Sequence, residues 1–334
     1  MFKNKAYQKA LALFACLIGL FVLLVLVFGL VDHLLNETEI GVRGDTEADE
    51  PRVDGVFYQS AWYSLKQNVE TILVIGVDSS YDEGAGRQDS KQADFLALLV
   101  IDHETKSMEV LHLNRDTMTD IPMTDIAGKE YGTSYSQLAL AHTYGSDENA
   151  RCRNTVKAVG NLLYGIRIDH YISITMDAVA ILNDSVGGVT VELLDDFTDI
   201  DAAYVKGAVV TLAGDQALTY VRARQSLEDS SNLSRMARQA QYIGALAEAY
   251  MNQTNTENSF ETIWKINAYM ASDCTINQLS DFSEKLKEYT YKGIQSLAGE
   301  AKLGEEYIEY YLDEDAAQAA VIALFYTLSG NDQS

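Results

Sequence analysis

The chain has 334 residues, a formal net charge of −24 at pH 7 and a hydrophobic fraction of 47%. This length and this fraction predict a folded chain with one large core or two small ones, and they exclude wholesale disorder. The acidity argues against a nucleic-acid-binding surface, because binding a phosphate backbone requires a basic footprint.

The N-terminal region carries an uncharged segment, residues 10–31, which at about 1.5 Å per residue can cross roughly 30 Å of hydrocarbon. Three lysines and no acidic residue precede it, whereas acidic residues follow it. This asymmetry predicts a cytoplasmic tail over 1–9, a single transmembrane helix over 10–31 and an extracellular C-terminal domain. A cleaved signal peptide is the alternative. Its apolar region is usually shorter, and no small-x-small cleavage site follows the segment.

The next segment, residues 32–66, is polar and rich in Gly, Asp and Glu, which is typical of a juxtamembrane spacer. We expect one short helix at its end, and the extracellular domain over 67–330. Cys152 and Cys274 fall in this domain, where disulfides can persist. The sequence leaves open whether the two cysteines pair or remain free thiols.

Three short apolar runs predict buried strands over 72–78, 95–102 and 108–114, in a sheet covered on both faces. The pattern also predicts strands at 170–176 and 189–193, and helices at 136–144, 154–164, 177–186, 215–220 and from Asn232 or Ser234 to about 252. The C-terminal part, 253–330, indicates two helices, two short strands and a last helix at 314–328. Strands that alternate with helices predict an α/β fold, a three-layer α-β-α sandwich.

Four of the chain's 11 arginines fall within 17 residues: Arg222, Arg224, Arg235 and Arg238. Arg235 lies in the first turns of a predicted helix, with Gln239 one turn later, where backbone N–H groups and the helix dipole favour an anion. Guanidinium groups gathered at one site suit a phosphate or a pyrophosphate. The alternative is that these arginines pair with the acidic side chains of this acidic chain.

Carboxylates flank the same predicted strands. Asp78 ends the first strand and Asp94 opens the second, so the two meet at one edge if these strands are antiparallel neighbours. Arg115 and Asp116 directly follow the third strand, and ligands often bind at the carboxyl ends of strands. Two carboxylates beside a phosphate site suit Mg²⁺, whereas a loop cap is the alternative for each aspartate alone. The absence of GxSxG, HExxH and P-loop motifs favours a metal and cations over an activated Ser or Cys.

Several segments together resemble the LytR-CpsA-Psr family of membrane-anchored cell-wall enzymes. They cover about 71–249 in the family's order and read ILVIGVDSS, ADFLALLVIDHETK, LNRDTM, AHTYG, LNDSVGGVTVEL, LAGDQALTYVRAR and SRMARQAQY. The resemblance implies a mixed central sheet and a phosphotransferase. Its reaction moves a glycopolymer from an undecaprenyl-pyrophosphate carrier onto peptidoglycan, at the C6 hydroxyl of N-acetylmuramic acid, and leaves a phosphodiester.

The resemblance also implies roles for individual residues. Asp78 and Asp94 would hold Mg²⁺ on the pyrophosphate. Its oxygens would be bound by Arg115, Arg222, Arg224, Arg235 and Gln239, while Arg238 matches a motif arginine without an assigned role. Arg115 or the metal would stabilise charge on the leaving lipid phosphate. Asp94 and Asp116 are the candidates for the general base that activates the sugar hydroxyl.

Two positions depart from the family pattern. Gln92 stands where the family usually has an arginine, and Gln137 stands where a basic residue is usual. Both remove positive charge near the expected lipid phosphate. They favour one alternative, a cell-wall binding or regulatory membrane protein without turnover; a second alternative is a hydrolase of the same lipid-linked substrate. The family also leads us to expect a hydrophobic groove for the polyprenyl chain near 136–164.

Overall fold

The computed structural model describes residues 55–78, 91–125, 128–223, 231–252, 259–305 and 307–329. The predicted transmembrane helix at 10–31 and Arg224 lie outside these residues. Within them, we find no helix that is both long enough and apolar enough to span a bilayer.

The described strands are β1 (Gly55–Tyr58), β2 (Ala61–Leu65), β3 (Val69–Val77), β4 (Ala93–Asp102), β5 (Ser107–Leu113), β6 (Met118–Thr124), β7 (Glu130–Gln137), β8 (His170–Thr175), β9 (Val189–Glu192), β10 (Val209–Leu212), β11 (Met270–Ser272), β12 (Thr290–Ser296), β13 (Gly299–Leu303), β14 (Ile308–Leu312) and β15 (Tyr326–Leu328). The described helices are α1 (Glu148–Leu162), α2 (Asp177–Ser185), α3 (Asp215–Arg222), α4 (Asn232–Met251), α5 (Ser259–Ile266), α6 (Ile276–Leu286) and α7 (Glu314–Phe325). Short 3₁₀ helices cover Leu138–Thr143 and Asn267–Tyr269.

The central sheet joins six of these strands in the order β11-β8-β3-β4-β5-β12. β4 runs antiparallel to β3 and β5, whereas β8 is parallel to β3 and β12 is parallel to β5. The sheet is therefore mixed, and the three strands predicted from the apolar runs are confirmed. Val77 of β3 pairs with Ala93 of β4, so Asp78 and Asp94 lie close to each other where β3 ends and β4 begins. We call this side of the sheet, formed by the ends of its strands, the same edge of the sheet for both residues.

Helices cover both faces of the sheet. Successive side chains of each strand point to opposite faces, so each strand packs against both layers of helices. On one face, Leu73, Ile75 and Leu98 are buried against α1, α7 and the first 3₁₀ helix. On the opposite face, Val74 and Leu99 point toward α2 and α4. This arrangement places α3 and α4, which carry the arginine cluster, beside the edge formed by Asp78 and Asp94.

The short helix expected at the end of the spacer is wrong. β1 and β2 instead form a hairpin, and β2 pairs with β15 at the C-terminal end of the described domain. Gln59 and Ser60 make the hairpin turn with positive φ angles of 44° and 66°, as a two-residue type I′ turn requires. Because β15 begins at Tyr326, the last helix ends at Phe325 rather than near 328. The backbone N–H of Lys66 donates to the Phe325 carbonyl at 2.8 Å.

The helix predicted at 136–144 is confirmed only in part. Its first residues complete β7, which forms a hairpin with β6, and the remainder is the 3₁₀ helix Leu138–Thr143. The next helix begins earlier than predicted, at Glu148, because the Asp147 side chain caps it by accepting a hydrogen bond from the Ala150 N–H at 2.9 Å. This change places Glu148 and Cys152 on the first turns of α1.

Candidate active site

The predicted site residues that the structure describes come mainly from segments that end at one edge of the sheet. Asp78 follows β3, Asp94 lies at the start of β4, and Arg115 follows β5 by two residues. Arg222 is the last residue of α3, and Arg235 lies in the first turn of α4. Separate strands and helices therefore bring carboxylates and guanidinium groups to the same edge.

Asp94 lies between two arginines. Arg115 forms an ion pair with the Asp94 carboxylate through Nη1, and the Nη1 of Arg235 lies 3.6 Å from the same oxygen. Arg235 also donates from Nη2 to the Asp94 backbone carbonyl at 3.3 Å. The exposed fractions of the three side chains are 15%, 6% and 14% for Arg115, Arg235 and Asp94. Because they are largely removed from water, their charges act on one another and on a bound anion more strongly than surface charges would.

Gln92, which departs from the family pattern, and Asp116 also hold Arg115. Its Nη2 donates to the Gln92 side-chain oxygen at 3.0 Å, and its Nε donates to Asp116 Oδ1 at 3.3 Å. That same Asp116 oxygen accepts a hydrogen bond from Gln137 Nε2 at 3.2 Å. Gln92 and Gln137 thus contact the Arg115–Asp116 pair as neutral amides, at positions where additional cations were expected.

Arg222 and Asp78 form a more exposed ion pair. The Nη2 of Arg222 lies 2.6 Å from Asp78 Oδ2, and the two side chains are 47% and 29% exposed. A pair this exposed is partly screened by water, so either side chain can exchange its partner for a ligand at modest cost. Arg224, two residues further along the chain, lies outside the described residues.

Arg238 does not join the other arginines. Its side chain is fully buried and donates to the backbone carbonyls of Tyr220 at 3.2 Å and of Ala223, and to the Asp195 carboxylate at 2.5 Å. The expectation that four guanidinium groups gather around one anion is therefore wrong for Arg238. Since the carbonyls at the end of α3 lack helical partners, Arg238 satisfies them and joins α3 to α4.

Gln239 borders an apolar cavity rather than the charged cluster. It is 5% exposed and donates from Nε2 to the Val221 carbonyl at 3.3 Å. The cavity has a volume of about 240 Å³ and lies between the sheet and helices α2 and α4. Its lining is almost entirely apolar and includes Val74, Gly76, Phe95, Leu99, Val179, Leu182, Tyr242, Ile243 and Leu246.

The cavity begins beside the charged edge of the sheet. Gly76 and Phe95 line it and lie two residues before Asp78 and one residue after Asp94. A second cavity of about 400 Å³ shares lining residues with it and extends the apolar space toward α5 and α6. A hydrophobic groove was expected near 136–164, but the apolar side chains of α1 pack as core on the other side of the sheet.

The donor set formed by Asp78 and Asp94 fits Mg²⁺. Both are carboxylates, at one edge of the sheet, and Mg²⁺ in phosphate-transfer sites is commonly held by one or two carboxylates together with substrate oxygens. Each carboxylate is also within reach of a guanidinium group. A cation and a phosphate arriving together would give both the carboxylates and the arginines new partners of opposite charge.

Sequence reasoning missed three residues at this site. Asn232 was expected only as a helix cap, but Ser231 caps α4, and Asn232 accepts from Arg235 at 2.7 Å while donating to Asn114 at 2.8 Å. His112 of β5 is 1% exposed, and its ring centroid lies 5.0 Å from that of Phe95. Burial, followed by the charge of Arg235, lowers the pKa of His112 to about 4. Asn114 directly follows a buried strand, and this position was the sequence signal that could have indicated the contact between Asn114 and Asn232.

Comparisons with known proteins give a consistent result. The model of the LytR_cpsA_psr family matches residues 37–323. Polyisoprenyl-teichoic acid–peptidoglycan teichoic acid transferase TagU of Halalkalibacterium halodurans is 30% identical over 230 residues, 64% of this chain and 69% of that protein. The crystal structure of B. subtilis TagV is similar with a TM-score of 0.59 and 24% identity over 78% of this chain and 97% of that one. A structure of TagT bound to LIIa-WTA has a TM-score of 0.58 and 18% identity over 78% and 90% of the two chains.

Proposed function

Because the chain belongs to the LytR-CpsA-Psr family, we propose that it transfers a glycopolymer from a polyprenyl-pyrophosphate carrier onto peptidoglycan. The product would be a phosphodiester at the C6 hydroxyl of N-acetylmuramic acid. The observation that carries the proposal is the convergence of Arg115 and Arg235 on Asp94, directly beside a deep apolar cavity. A buried cluster of arginines paired with carboxylates, next to an apolar cavity, suits a ligand that is a pyrophosphate at one end and a hydrocarbon at the other.

In this proposal the pyrophosphate oxygens are bound by Arg115, Arg222 and Arg235, with Arg224 and Gln239 as further candidates. Arg115 and Arg235 are the stronger binders in this proposal, because their charges are shielded from water and their planar groups can bind phosphate oxygens in pairs. Gln239 borders both the cavity and the end of α3, so it would contact the ligand where the pyrophosphate meets the hydrocarbon. The polyprenyl chain would enter the cavity between the sheet and α4.

Asp78 and Asp94 are the residues that would hold Mg²⁺. When bound, the ion would supply positive charge that stabilises the pyrophosphate. Asp94 would then exchange part of its ion pairing with Arg115 and Arg235 for the metal. The released guanidinium groups would become available to the phosphates.

The transfer breaks the bond between the two phosphates and forms a new bond from the acceptor oxygen to the phosphate that carries the glycan. Arg115 would stabilise the charge that moves onto the leaving lipid phosphate. The proton of the acceptor hydroxyl would pass to Asp116 or Asp94. Asp116 is the better placed of the two, because Asp94 is already shared by two guanidinium groups whereas Asp116 contacts one.

We place the catalytic domain outside the cell, anchored in the cell membrane by a transmembrane helix at 10–31 with a cytoplasmic tail. This orientation follows from the lysines before the segment and the acids after it. It would put the acceptor, peptidoglycan, and the lipid-linked donor on the same side of the membrane as the site.

A second function, binding of the lipid-linked glycan without turnover, is favoured by Gln92 and Gln137. Both contact the Arg115–Asp116 pair without adding charge, so the site holds fewer cations than the family pattern provides. Such a site could bind a pyrophosphate while stabilising the transition state less. Hydrolysis, with water in place of the sugar, differs from transfer only in its product.

The test uses the full-length chain with a synthetic polyprenyl-pyrophosphoryl oligosaccharide, Mg²⁺ and peptidoglycan fragments. Mass spectrometry follows the release of polyprenyl phosphate and the mass of the acceptor. An acceptor heavier by glycan plus phosphate supports the transferase. Lipid phosphate released with an unchanged acceptor means hydrolysis, and tight binding with no release means the non-catalytic function.

A further inference from the structure

A second group of reactive side chains lies on the face of the sheet opposite the cavity. His142 of the 3₁₀ helix, Glu148 and Cys152 of α1 each offer one donor atom, and these atoms all lie within 4.8 Å of one another. His142 and Cys152 are fully buried, whereas the Glu148 side chain is 38% exposed. Cys152 and Cys274 are both free thiols, so the disulfide that the sequence left open is not formed.

The hydrogen bonds of His142 define which of its ring nitrogens carries a proton. Nδ1 lies 3.0 Å from the backbone carbonyl of Lys91, which can only accept, so Nδ1 donates. In the neutral ring, Nε2 then presents its lone pair to the Glu148 carboxylate at 3.3 Å. Two acceptors at this distance require a shared positive group between them, which is either a proton or a metal ion.

The third donor distinguishes these two possibilities. The sulfur of Cys152 lies 3.8 Å from the same Nε2, so nitrogen, oxygen and sulfur face a common point. Protons can join these atoms only in pairs, with the thiol proton of Cys152 shared with one neighbour, whereas one metal ion would bind all three. A tetrahedral ion with bonds of about 2.0–2.3 Å would hold such ligands roughly 3.3–3.6 Å apart. The nitrogen–oxygen spacing of 3.3 Å and the nitrogen–sulfur spacing of 3.8 Å are close to these values.

The surroundings supply what a metal site needs beyond three ligands. Ser173 of β8 is 3% exposed and donates to the same Glu148 oxygen at 3.0 Å, so its hydroxyl oxygen lies beside the three donors as a fourth polar atom. The second oxygen of Glu148 is held by Arg151 at 2.5 Å. The Lys91 carbonyl fixes the ring of His142 from behind, which is the usual support for a histidine that binds a metal.

We propose that His142, Glu148 and Cys152 bind a borderline divalent cation of the zinc class. The ligand set of imidazole, carboxylate and thiolate is typical of Zn²⁺ rather than of Mg²⁺, which prefers oxygens alone. Glu148 and Cys152 are four residues apart on one helix face, so α1 presents both at once.

The protonation states of the three side chains are compatible with metal binding. The hydrogen bond with His142 lowers the pKa of Glu148 to about 2, so this ligand is already a carboxylate near neutral pH. Burial raises the pKa of the Cys152 thiol to about 12. On binding, the metal would displace the thiol proton and any proton on His142 Nε2, which pass to solvent.

An ion at this position would connect four separate segments of the chain. His142 comes from the 3₁₀ helix, Glu148 and Cys152 from α1, Ser173 from β8, and the Lys91 carbonyl from the segment that leads into Gln92 and Asp94. This proposal stands whether or not the chain is a transferase. We expect the bound ion to make the segment from Lys91 to Asp94 more rigid.

The experiment uses Co²⁺ as a spectroscopic substitute for Zn²⁺ in the full-length chain, purified in detergent and treated with chelator. Excess Mg²⁺ is present so that oxygen sites such as Asp78 and Asp94 are occupied. We expect one Co²⁺ per chain to give the intense visible bands of a tetrahedral ion and a near-ultraviolet thiolate-to-cobalt band. Zn²⁺ should displace the Co²⁺ and raise the thermal unfolding midpoint.

Three cysteine variants assign the band. A second group, His170, Asp273 and Cys274, also offers three donors, so C274S is the matched control for C152S. The band should disappear in C152S and persist in C274S and in C16S/C274S, where Cys152 is the chain's remaining cysteine. If C152S does not fold, C16S/C274S still decides. No thiolate band in the wild type, or a band lost in C274S and kept in C152S, overturns the proposal.

Discussion

Arg115 and Asp94 form an ion pair between the segment that follows β5 and the first residues of β4, and both side chains are less than one fifth exposed. The pair places a cation in contact with a carboxylate that we propose as a metal ligand. Asp94 retains a second partner, Arg235, if Arg115 is removed. The charge on Asp94 would therefore stay compensated in an Arg115 variant, which makes this arginine suitable for testing catalysis separately from folding.

Arg115→Ala should reduce transfer by about 10²–10³-fold while leaving the thermal unfolding midpoint within a few degrees of the wild type, because one donor to the leaving phosphate is lost. Arg115→Lys should recover part of the activity, since it keeps the charge but not the paired geometry. Acceptor mass and lipid phosphate release measure the effect. Arg167→Ala, which removes an arginine that is 76% exposed and lies ahead of β8, is the control. Full activity in Arg115→Ala would contradict the assigned role.

Arg238→Met should destabilise the fold by roughly 3–5 kcal/mol, because it leaves the Asp195 carboxylate and two carbonyls at the end of α3 without their buried partner. Urea unfolding measures the free energy. The transfer rate per folded molecule at low temperature should stay close to that of the wild type. Arg222→Met, at a surface ion pair, serves as the comparison: little loss of stability and weaker substrate binding. A large rate defect in fully folded Arg238→Met would place this residue at the ligand instead.

The contrast between Arg235 and Arg238 shows where sequence reasoning stops. Both stand on α4 at a spacing of three residues, so a helical pattern places them on the same face. Which of the two meets the sheet edge and which meets α3 depends on how α4 packs, and packing is decided by distant segments. By contrast, the meeting of Asp78 and Asp94 could be predicted, since adjacent antiparallel strands fix it through register alone.

The β1–β2 hairpin illustrates a second limit. Its turn residues, Gln59 and Ser60, adopt positive φ without a glycine or an asparagine, so the local sequence carries no turn signal. The hairpin is stabilised by β15, which is more than 260 residues away in the chain. This segment has the composition of a spacer, yet it forms two strands of a three-stranded sheet whose third strand is remote in sequence.

Gln92→Arg should lower the KM for the lipid-linked donor several-fold if the chain is a transferase with a weakened anion site. Gln92 already contacts the Arg115 guanidinium at 3.0 Å, so an arginine here would place a further cation next to the phosphates. Steady-state kinetics at low and high salt measure the effect, which should diminish as salt screens the added charge. Gln67→Arg, on the connection between β2 and β3, adds the same charge away from the site. An equal gain in both variants would show a general effect of net charge.

Leu246→Trp should block the polyprenyl chain, because Leu246 of α4 lines both apolar cavities and a larger ring would fill their common part. We expect at least about a tenfold weaker affinity for a long-chain polyprenyl pyrophosphate and little change for inorganic pyrophosphate. Calorimetric titration measures both ligands. Glu248→Trp, on the exposed side of the same helix, is the control for introducing tryptophan. Unchanged affinity for the long-chain ligand in Leu246→Trp would exclude this cavity as the lipid site.

His112 should make the fold less stable as the pH falls from about 6.5 to about 4. Burial and the charge of Arg235 lower its pKa to about 4, whereas an unfolded histidine titrates near its model value of 6.5. Between these pH values the unfolded chain binds a proton that the native chain does not. The contribution of His112 to the free energy of unfolding is therefore fully present above about pH 6.5 and is lost as the pH falls toward about 4. The contribution of this residue amounts to at most about 3 kcal/mol.

Urea unfolding of the wild type and of His112→Gln at several pH values tests this expectation. The variant has no titrating group at this position, so the slope of unfolding free energy against pH between about 4 and 6.5 should become shallower. His103→Gln is the control, because His103 is 37% exposed and its ring bonds to Glu70 and Tyr289 at the surface. The same slope in His112→Gln as in the wild type would mean that His112 is protonated in the native protein. In that case its ring would carry a positive charge beside Arg235, and the apolar surroundings of Phe95 would not be keeping it neutral.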